Sequence, residues 1–338
     1  MKTGITIILL LFTRVCFCQI KDTLFFYNKT LLIGEFKKIK LGRIEFDGDG
    51  IGDVSIKYDK VKTIKAKSHL YRVETPDTKL LYGHIESSDK PGYINILTDN
   101  SVVEIKLINI ISLLFYGKNW KDGISGRLGA GYSYTKSSNI GRFNINGSAK
   151  YVAKKIETDL DGSMIITTDS IHTFKERENL ILSSNYLIDN RWYTGVSLRY
   201  QSNIELGLLS RLQQGVGIGY KFLKHMHSQG KSITGFVINE EHNINNQRNT
   251  SVEWELLGNY NFFSFSKPNF SLSTTQTAFF SLSQKERIRL DGDITIDWEM
   301  LTDFSISLNF YHNYDARSPI SNGPKVDYGF VAGLNYKF

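Results

Sequence analysis

The sequence predicts an all-β protein: a transmembrane antiparallel β-barrel of about twelve strands behind a small N-terminal β-domain. Three observations carry this expectation. Apolar and polar residues alternate in long runs from residue 120 to the end. The first eighteen residues read as an export signal. The composition favours strands, with 21 Phe and 18 Tyr against five Pro.

The N-terminus comes first. Lys2 supplies a positive start, Ile5 to Phe12 form an apolar core, and Cys16-Phe17-Cys18 stand where a cleavage site belongs, with the cut placed before Gln19. The apolar run is too short for a membrane helix, which needs about 20 residues. A lipid anchor on Cys16 or Cys18 is disfavoured because Val15 and Phe17 are not small. Cleavage of residues 1–18 would remove both cysteines, leaving no disulfide, thiolate metal site or cysteine nucleophile. Without Lys2 and Arg14 there are 39 basic residues against 34 acidic. These charges are scattered, which excludes a nucleic-acid footprint.

Residues 19–116 read as a small β-domain on the periplasmic side. Short strands are separated by turns such as Asp47-Gly48-Asp49-Gly50 and Asp89-Lys90-Pro91-Gly92. A weak repeat runs through it: Leu32-Ile33-Gly34 answers to Leu81-Tyr82-Gly83 at an offset of 49. Ile56, Val61 and Ile64 answer to Val103, Ile108 and Ile111 at an offset of 47. Two units of about five strands, packed together, are expected.

Residues 120–338 carry the long alternation. Ile288, Leu290, Gly292, Ile294, Ile296, Trp298 and Met300 share one strand face; Arg289, Asp291, Asp293, Thr295, Asp297 and Glu299 share the other. The last strand repeats the pattern, with Val326, Tyr328, Phe330, Ala332, Leu334, Tyr336 and Phe338 opposite Asp327, Gly329, Gly333, Asn335 and Lys337. Runs of about ten residues are what a tilted strand needs to cross a bilayer. Twelve strands are expected, starting near residues 123, 140, 157, 175, 191, 208, 231, 250, 269, 287, 303 and 325. The third and seventh alternate poorly, so ten remains an alternative. Asp189-Asn190-Arg191 and Leu301-Thr302-Asp303 read as tight turns; Ser202 to Leu209, Glu241 to Asn249 and Ala316 to Lys325 read as longer outer loops. Tyr132, Tyr134, Trp192, Tyr200, Tyr220, Trp254, Tyr260, Trp298 and Tyr336 sit near strand ends, as interfacial girdles do. The terminal Phe338 resembles the signal by which barrel-assembly machinery recognises its substrates, so that machinery and outer-membrane lipid are the expected partners. A periplasmic partner of the N-terminal domain is a further candidate.

Several motifs together resemble a known family. They are Asp22-Thr23-Leu24 leading to Gly34-Glu35, then Tyr58-Asp59-Lys60-Val61. Trp120-Lys121-Asp122-Gly123-Ile124-Ser125-Gly126 and Leu128-Gly129-Ala130-Gly131-Tyr132 open the barrel. Gly215-Val216-Gly217-Ile218-Gly219-Tyr220 and Leu334-Asn335-Tyr336-Lys337-Phe338 complete the set. The chain resembles the domain of unknown function 481 family, often labelled salt-induced outer-membrane proteins. Where that family usually has a Gly-Asn pair after the first barrel strand, Ser137-Ser138-Asn139 stands here. The resemblance implies outer-membrane location and no chemistry.

The remaining constellations carry little chemistry. Gly215 to Tyr220 lacks the helix and acidic residue of a nucleotide fingerprint and reads as a glycine-lined strand. His225-Met226-His227 offers too few ligands for a structural metal site. His312, Ser318, Ser321 and Asn322 have the composition of a lipid hydrolase site, but a Pro-containing loop splits them. No catalytic residue, cofactor or metal is therefore expected. The candidate lumen lining is Arg127, Arg142, Lys150, Arg199, Arg211 and Lys221 on early strands, with Glu253, Glu255, Asp291, Asp293, Asp297 and Glu299 on late ones. Such charges avoid lipid, where each costs about 2–4 kcal/mol at the midplane. They line a pore with one basic and one acidic wall, or they pair and fill the lumen; the sequence leaves both open. The expected role is a narrow passive pore or an envelope structural protein. The alternatives are a membrane-anchored binding module acting through its N-terminal domain, an outer-membrane lipid hydrolase, and a soluble periplasmic β-protein.

Overall fold

The computed structural model describes residues 21–336, apart from 77–79, 118–122, 138, 170–171, 205–207, 245–246, 302–303 and 318–324. The expected signal segment, Ser318, Ser321, Asn322 and Phe338 lie outside the described residues. The described residues form strands and two single 3-10 turns, with no α-helix among them.

The N-terminal sheet contains β1 (Asp22–Phe26), β2 (Leu31–Lys40), β3 (Arg43–Gly48), β4 (Gly52–Lys57) and β5 (Val61–Glu74). It continues with β6 (Leu81–Ser87), β7 (Tyr93–Leu97), β8 (Val102–Lys106) and β9 (Ser112–Tyr116). Two meanders, β2-β3-β4 and β6-β7-β8, flank a shared centre. Each is followed by a 3-10 turn, Tyr58–Lys60 or Leu107–Asn109, and then by a strand. Between the long strands β2 and β5, β1 and β9 lie end to end. β1 pairs Leu31 to Gly34 and Val61 to Lys65, whereas β9 pairs Lys38 to Lys40 and Leu70 to Glu74.

At the gap where β1 gives way to β9, the long strands have N–H groups with no ladder partner, and unpaired buried donors are costly. The fully buried Asp22 carboxylate takes their place. It accepts from the N–H of Phe36 at 3.0 Å, Lys67 at 3.1 Å and Ser68 at 3.2 Å. It also accepts from the Ser68 hydroxyl at 2.6 Å and the Tyr71 hydroxyl at 3.4 Å. Burial, with Asp22 adding to it, pushes the Tyr71 hydroxyl well above its ordinary range and keeps it a donor. The structure thus gives the Asp22-Thr23-Leu24 motif a physical role. Around this anchor Leu24, Phe36, Ile39, Ile44, Phe46, Ile64 and Ile85 are fully buried in one core cluster confined to this domain.

On the domain's surface, His69 lies 3.4 Å from Glu35, and Lys37 lies 2.8 Å from it. The His69 hydrogen bond most of all, then Lys37 against opposing burial, lowers the Glu35 carboxyl from 4.5 to about 2. Its contribution to stability is therefore complete above pH 4.5 and is lost as pH falls toward 2. In thermal melts between pH 5 and pH 2, Glu35→Gln should lose less stability than wild type; identical slopes would refute this.

The second sheet has twelve antiparallel strands among the described residues, each paired with its neighbours in sequence. They are β10 (Ile124–Thr135), β11 (Ile140–Val152), β12 (Ile156–Thr168), β13 (Thr173–Leu187), β14 (Trp192–Asn203) and β15 (Leu208–Lys224). The rest are β16 (Ser228–Asn243), β17 (Arg248–Ser264), β18 (Asn269–Ser281), β19 (Ile288–Leu301), β20 (Phe304–Asp315) and β21 (Val326–Tyr336). The ten-strand alternative is thereby excluded. The two weakly alternating segments are β12 and β16, and each breaks its pattern for a local reason. A register shift at Ile165/Ile166 interrupts β12. In β16, Ile233 turns inward to fill space over Gly217. Two connections read as long loops shrink to 204–207 and 244–247, because the flanking strands extend and pair across them.

The register puts the apolar residues of neighbouring strands on one face. Val196, Val216, Phe236, Trp254, Phe280 and Ile288 are direct partners in a row across β14 to β19. Val196, Val216 and Phe236 are each more than half exposed. Aromatic pairs stand on the same face toward the strand ends: Trp192 with Tyr220 at 4.7 Å, Tyr132 with Phe143 at 4.5 Å, Trp254 with Phe280 at 5.3 Å. The sheet curls around the N-terminal domain, which contacts β12, β15, β16 and β19. Its two terminal strands, β10 and β21, remain edges: no ladder joins them among the described residues, and both are exposed along nearly their whole length.

Candidate functional site

The inward face of the curled sheet carries the charges, and its N-terminal mouth is where they meet the small domain. The domain presents its β2–β3 hairpin to that mouth. Leu41 and Gly42 both have positive φ (49° and 67°), the geometry of the tight turn that joins twisted strands. Gly42 lies flat against the sheet: a Cβ there would sit 2.5 Å from the Phe263 ring and 2.8 Å from Phe265. Tyr58, at 5.9 Å, and the Lys57 ammonium, at 5.3 Å, pack on the same Phe265 ring.

Ion pairs add to these contacts. Arg72, only 2% exposed, donates to Glu157 on β12 and, at 3.4 Å, to the Ala153 carbonyl. Lys221 on β15 donates to both oxygens of Glu74 at 3.0 Å, and Lys224 lies 3.1 Å from the same carboxylate. Burial acts to raise the Glu74 carboxyl, but Lys221 and Lys224 outweigh it and hold it below its ordinary value. Tyr82 donates to the Lys154 carbonyl at 3.1 Å, Gln229 donates to the Ile111 carbonyl at 3.3 Å, and Lys57 lies 3.6 Å from Glu299. The domain is thus tied to the start of β12, to the β15–β16 end and to β19.

Between domain and wall, among these contacts, lies a chamber of about 350 Å³. Lys38, Lys40 and Glu74 reach it from the domain; Lys150, Glu157, Asp159, Lys221, Lys224 and Lys231 reach it from the wall.

At the opposite end of the sheet a second cluster closes over itself. Glu241 receives Arg211 at 2.9 Å and Arg287 at 3.4 Å; Arg287 also holds Asp315 at 2.8 Å. Beside them Arg289 holds Glu253 at 2.5 Å and stacks on Phe279 at 4.4 Å. Asn239 donates to Glu241 at 2.8 Å, and Ser251 donates to Glu253 at 3.2 Å.

The twelve candidate lumen residues all fall on the inward face by strand register. Among the described residues no ion pair joins one of the six bases to one of the six acids. Arg142 pairs with Glu176 at 3.4 Å, Lys150 with Asp159 at 3.1 Å, and Arg127 donates to Ser148 at 3.2 Å. Asp297 accepts from Ser307 at 2.6 Å. Arg199, Glu255, Asp291 and Asp293 lie on the same face without a described ion pair. The partners Glu74, Glu157, Glu241 and Arg287 were not singled out in the sequence, and Arg289 was placed on the polar face of its strand but not among the lumen candidates. Glu157 and Glu241 sit at strand ends, and Arg287 in a turn, where alternation gives no facing signal.

Other sequence candidates disperse. His312 points to the apolar face and shares a hydrogen bond with Gln276 at 2.8 Å, away from the inward charges. His227 packs on Phe263 at 5.0 Å in the β15–β16 turn, and the described residues hold no group of three or more metal-ligating side chains. Gly219 sits under the Tyr193 ring on the inward face, where a Cβ would come within 2.1 Å of it.

A family profile described as "Protein of unknown function, DUF481" matches residues 128–338. No curated protein matches the chain. Among solved structures, the NanC porin in a rhombohedral crystal form is similar over 63% of this chain and 99% of its own, at 12% identity and a TM-score of 0.34. OccK11 (OpdR) of Pseudomonas aeruginosa is similar over 79% of this chain and 83% of its own, at 8% identity and a TM-score of 0.32. Both likenesses are distant, and the exposed apolar belt stands independently of them.

Proposed function

The chain belongs to the DUF481 family, and from its surface we propose that it is an outer-membrane β-barrel whose aqueous lumen is stoppered at one end by its own N-terminal domain. One observation supports this above the others. The buried core cluster lies entirely in the small domain, whereas the twelve-stranded sheet turns its apolar side chains outward in a continuous belt. A sheet of that size left in water would expose far more contiguous apolar area than soluble proteins tolerate. In lipid the same belt is solvated, and the inward charges face water.

The reading extends to closure and orientation. Lipid cannot satisfy the free edges of β10 and β21, so in the membrane these strands pair and seal the barrel. Twelve strands bring both ends of the barrel segment to one side. In this reading the N-terminal domain lies on that side, in the periplasm. The role is passive: a conduit closed at rest.

Val216 lies at the centre of β15 with its side chain 57% exposed on the belt. Val216→Arg should cost about 2–4 kcal/mol of barrel stability in lipid vesicles. Heat-modifiable gel mobility reads the folded fraction. A variant that folds as well as wild type would remove the membrane reading.

A further inference from the structure

We infer that the chamber between the domain and the wall is a binding site for a small multivalent anion of the phosphate or polycarboxylate class, which latches the stopper. This rests on the stopper reading and deepens it. Six lysines converge on about 350 Å³ with three carboxylates among them. Four lysines are already engaged: Lys38 with Glu45 at 2.9 Å, Lys150 with Asp159 at 3.1 Å, and Lys221 and Lys224 with Glu74. Lys40 and Lys231 have no ion-pair partner among the described residues, and Glu157 and Asp159 are already held by Arg72 and Lys150.

Lys40 comes from the hairpin and Lys231 from β16, so two cationic side chains line the same chamber from opposite bodies. Burial pushes Lys40 below its ordinary value, and Lys150 and Lys231 add to the push. Low-dielectric walls focus such a field and concentrate counter-ions within them. An anion with at least two charges bridges Lys40 and Lys231 and relieves their repulsion. The volume admits a diphosphate or a small tricarboxylate. Because the lysines come from both bodies, the site exists only when the domain is seated. An anion at 100 times its Kd therefore favours the seated state about a hundredfold.

The experiment uses the full mature chain refolded in detergent micelles, titrated calorimetrically with inorganic pyrophosphate at fixed salt. Saturable binding is expected. Lys40→Gln and Lys231→Gln should each weaken it about tenfold. Lys231→Arg should retain it, and Lys175→Gln, at the far end of β13, should match wild type. Absence of saturable heat, or a Lys231→Gln variant that binds as wild type does, would overturn the inference. The same preparation is recorded in planar bilayers. A silent barrel that ignores pyrophosphate fails this inference alone, whereas a full-length chain that conducts freely fails the stopper reading.

Discussion

Glu74→Lys is expected to turn a silent barrel into a conducting one. The wild-type carboxylate is buried between Lys221 and Lys224, at 3.0 and 3.1 Å, and ties β5 of the domain to β15 of the wall. Breaking a buried pair by removing one partner costs about 3–5 kcal/mol, because the other charge is left unpaired. Reversal does more, setting three ammonium groups together. The remaining ties are the Arg72–Glu157 pair, four hydrogen bonds to carbonyls, the hairpin packing on Phe263 and Phe265, and the 3.6 Å Lys57–Glu299 contact. The last is partly exposed and contributes about 1 kcal/mol at most. The unseated population should therefore rise at least a hundredfold. Single-channel current in planar bilayers reads this as discrete steps absent from wild type. The compensating Lys221→Glu and Lys224→Glu changes, added to Glu74→Lys, should restore silence. Acid should act in the same direction. The Glu74 contribution is complete above pH 4.5 and is lost as pH falls through its lowered value in the docked state. Equal currents from Glu74→Lys and wild type would end the stopper reading.

Asp22→Ala is expected to unfold the N-terminal domain while sparing the barrel. Three backbone N–H groups and a hydroxyl converge on this carboxylate at 2.6 to 3.2 Å. Each donor left buried without a partner costs about 1–3 kcal/mol. A loss of about 3–5 kcal/mol is a large share of the stability of a domain of this size. Asp22→Asn keeps the shape but points an NH2 group at these donors, and should fall between the two. Urea titration followed by the domain's tyrosine fluorescence measures the loss. A midpoint unchanged by Asp22→Ala would show that β1 and β9 hold without it.

What the sequence made legible follows from the reach of its patterns. Alternation is a local property, so all twelve wall strands were placed within a few residues, and Leu290 could be told from Asp291 by position alone. The same property failed at strand ends: Glu157 and Glu241 carry key pairs but lie where a two-residue period has run out. The Asp22-Thr23-Leu24 motif could be seen but not explained, because its partners Phe36, Lys67 and Ser68 are brought together only by β2 and β5. The chamber was beyond reach. Nothing near Glu74 announces a lysine 147 residues further along the chain. The contrast of early basic and late acidic strands did not reveal the partners either: Arg142 pairs with Glu176 two strands on, Arg211 with Glu241 on the next strand, and Lys221 with Glu74 of the domain.

The β2–β3 hairpin under Phe263 and Phe265 bears on the order of assembly. A tip held flat by Gly42 against β17 cannot easily be threaded into a ring already closed. The small domain comes first in the chain and has its own core, so it can fold before the wall strands arrive. In the proposed barrel the wall then wraps a finished mandrel, with the joining of β21 to β10 as the last event. Slow or failed folding of the first hundred residues should therefore appear as barrels that insert late, and Asp22→Ala should delay the heat-resistant form in a pulse-chase experiment.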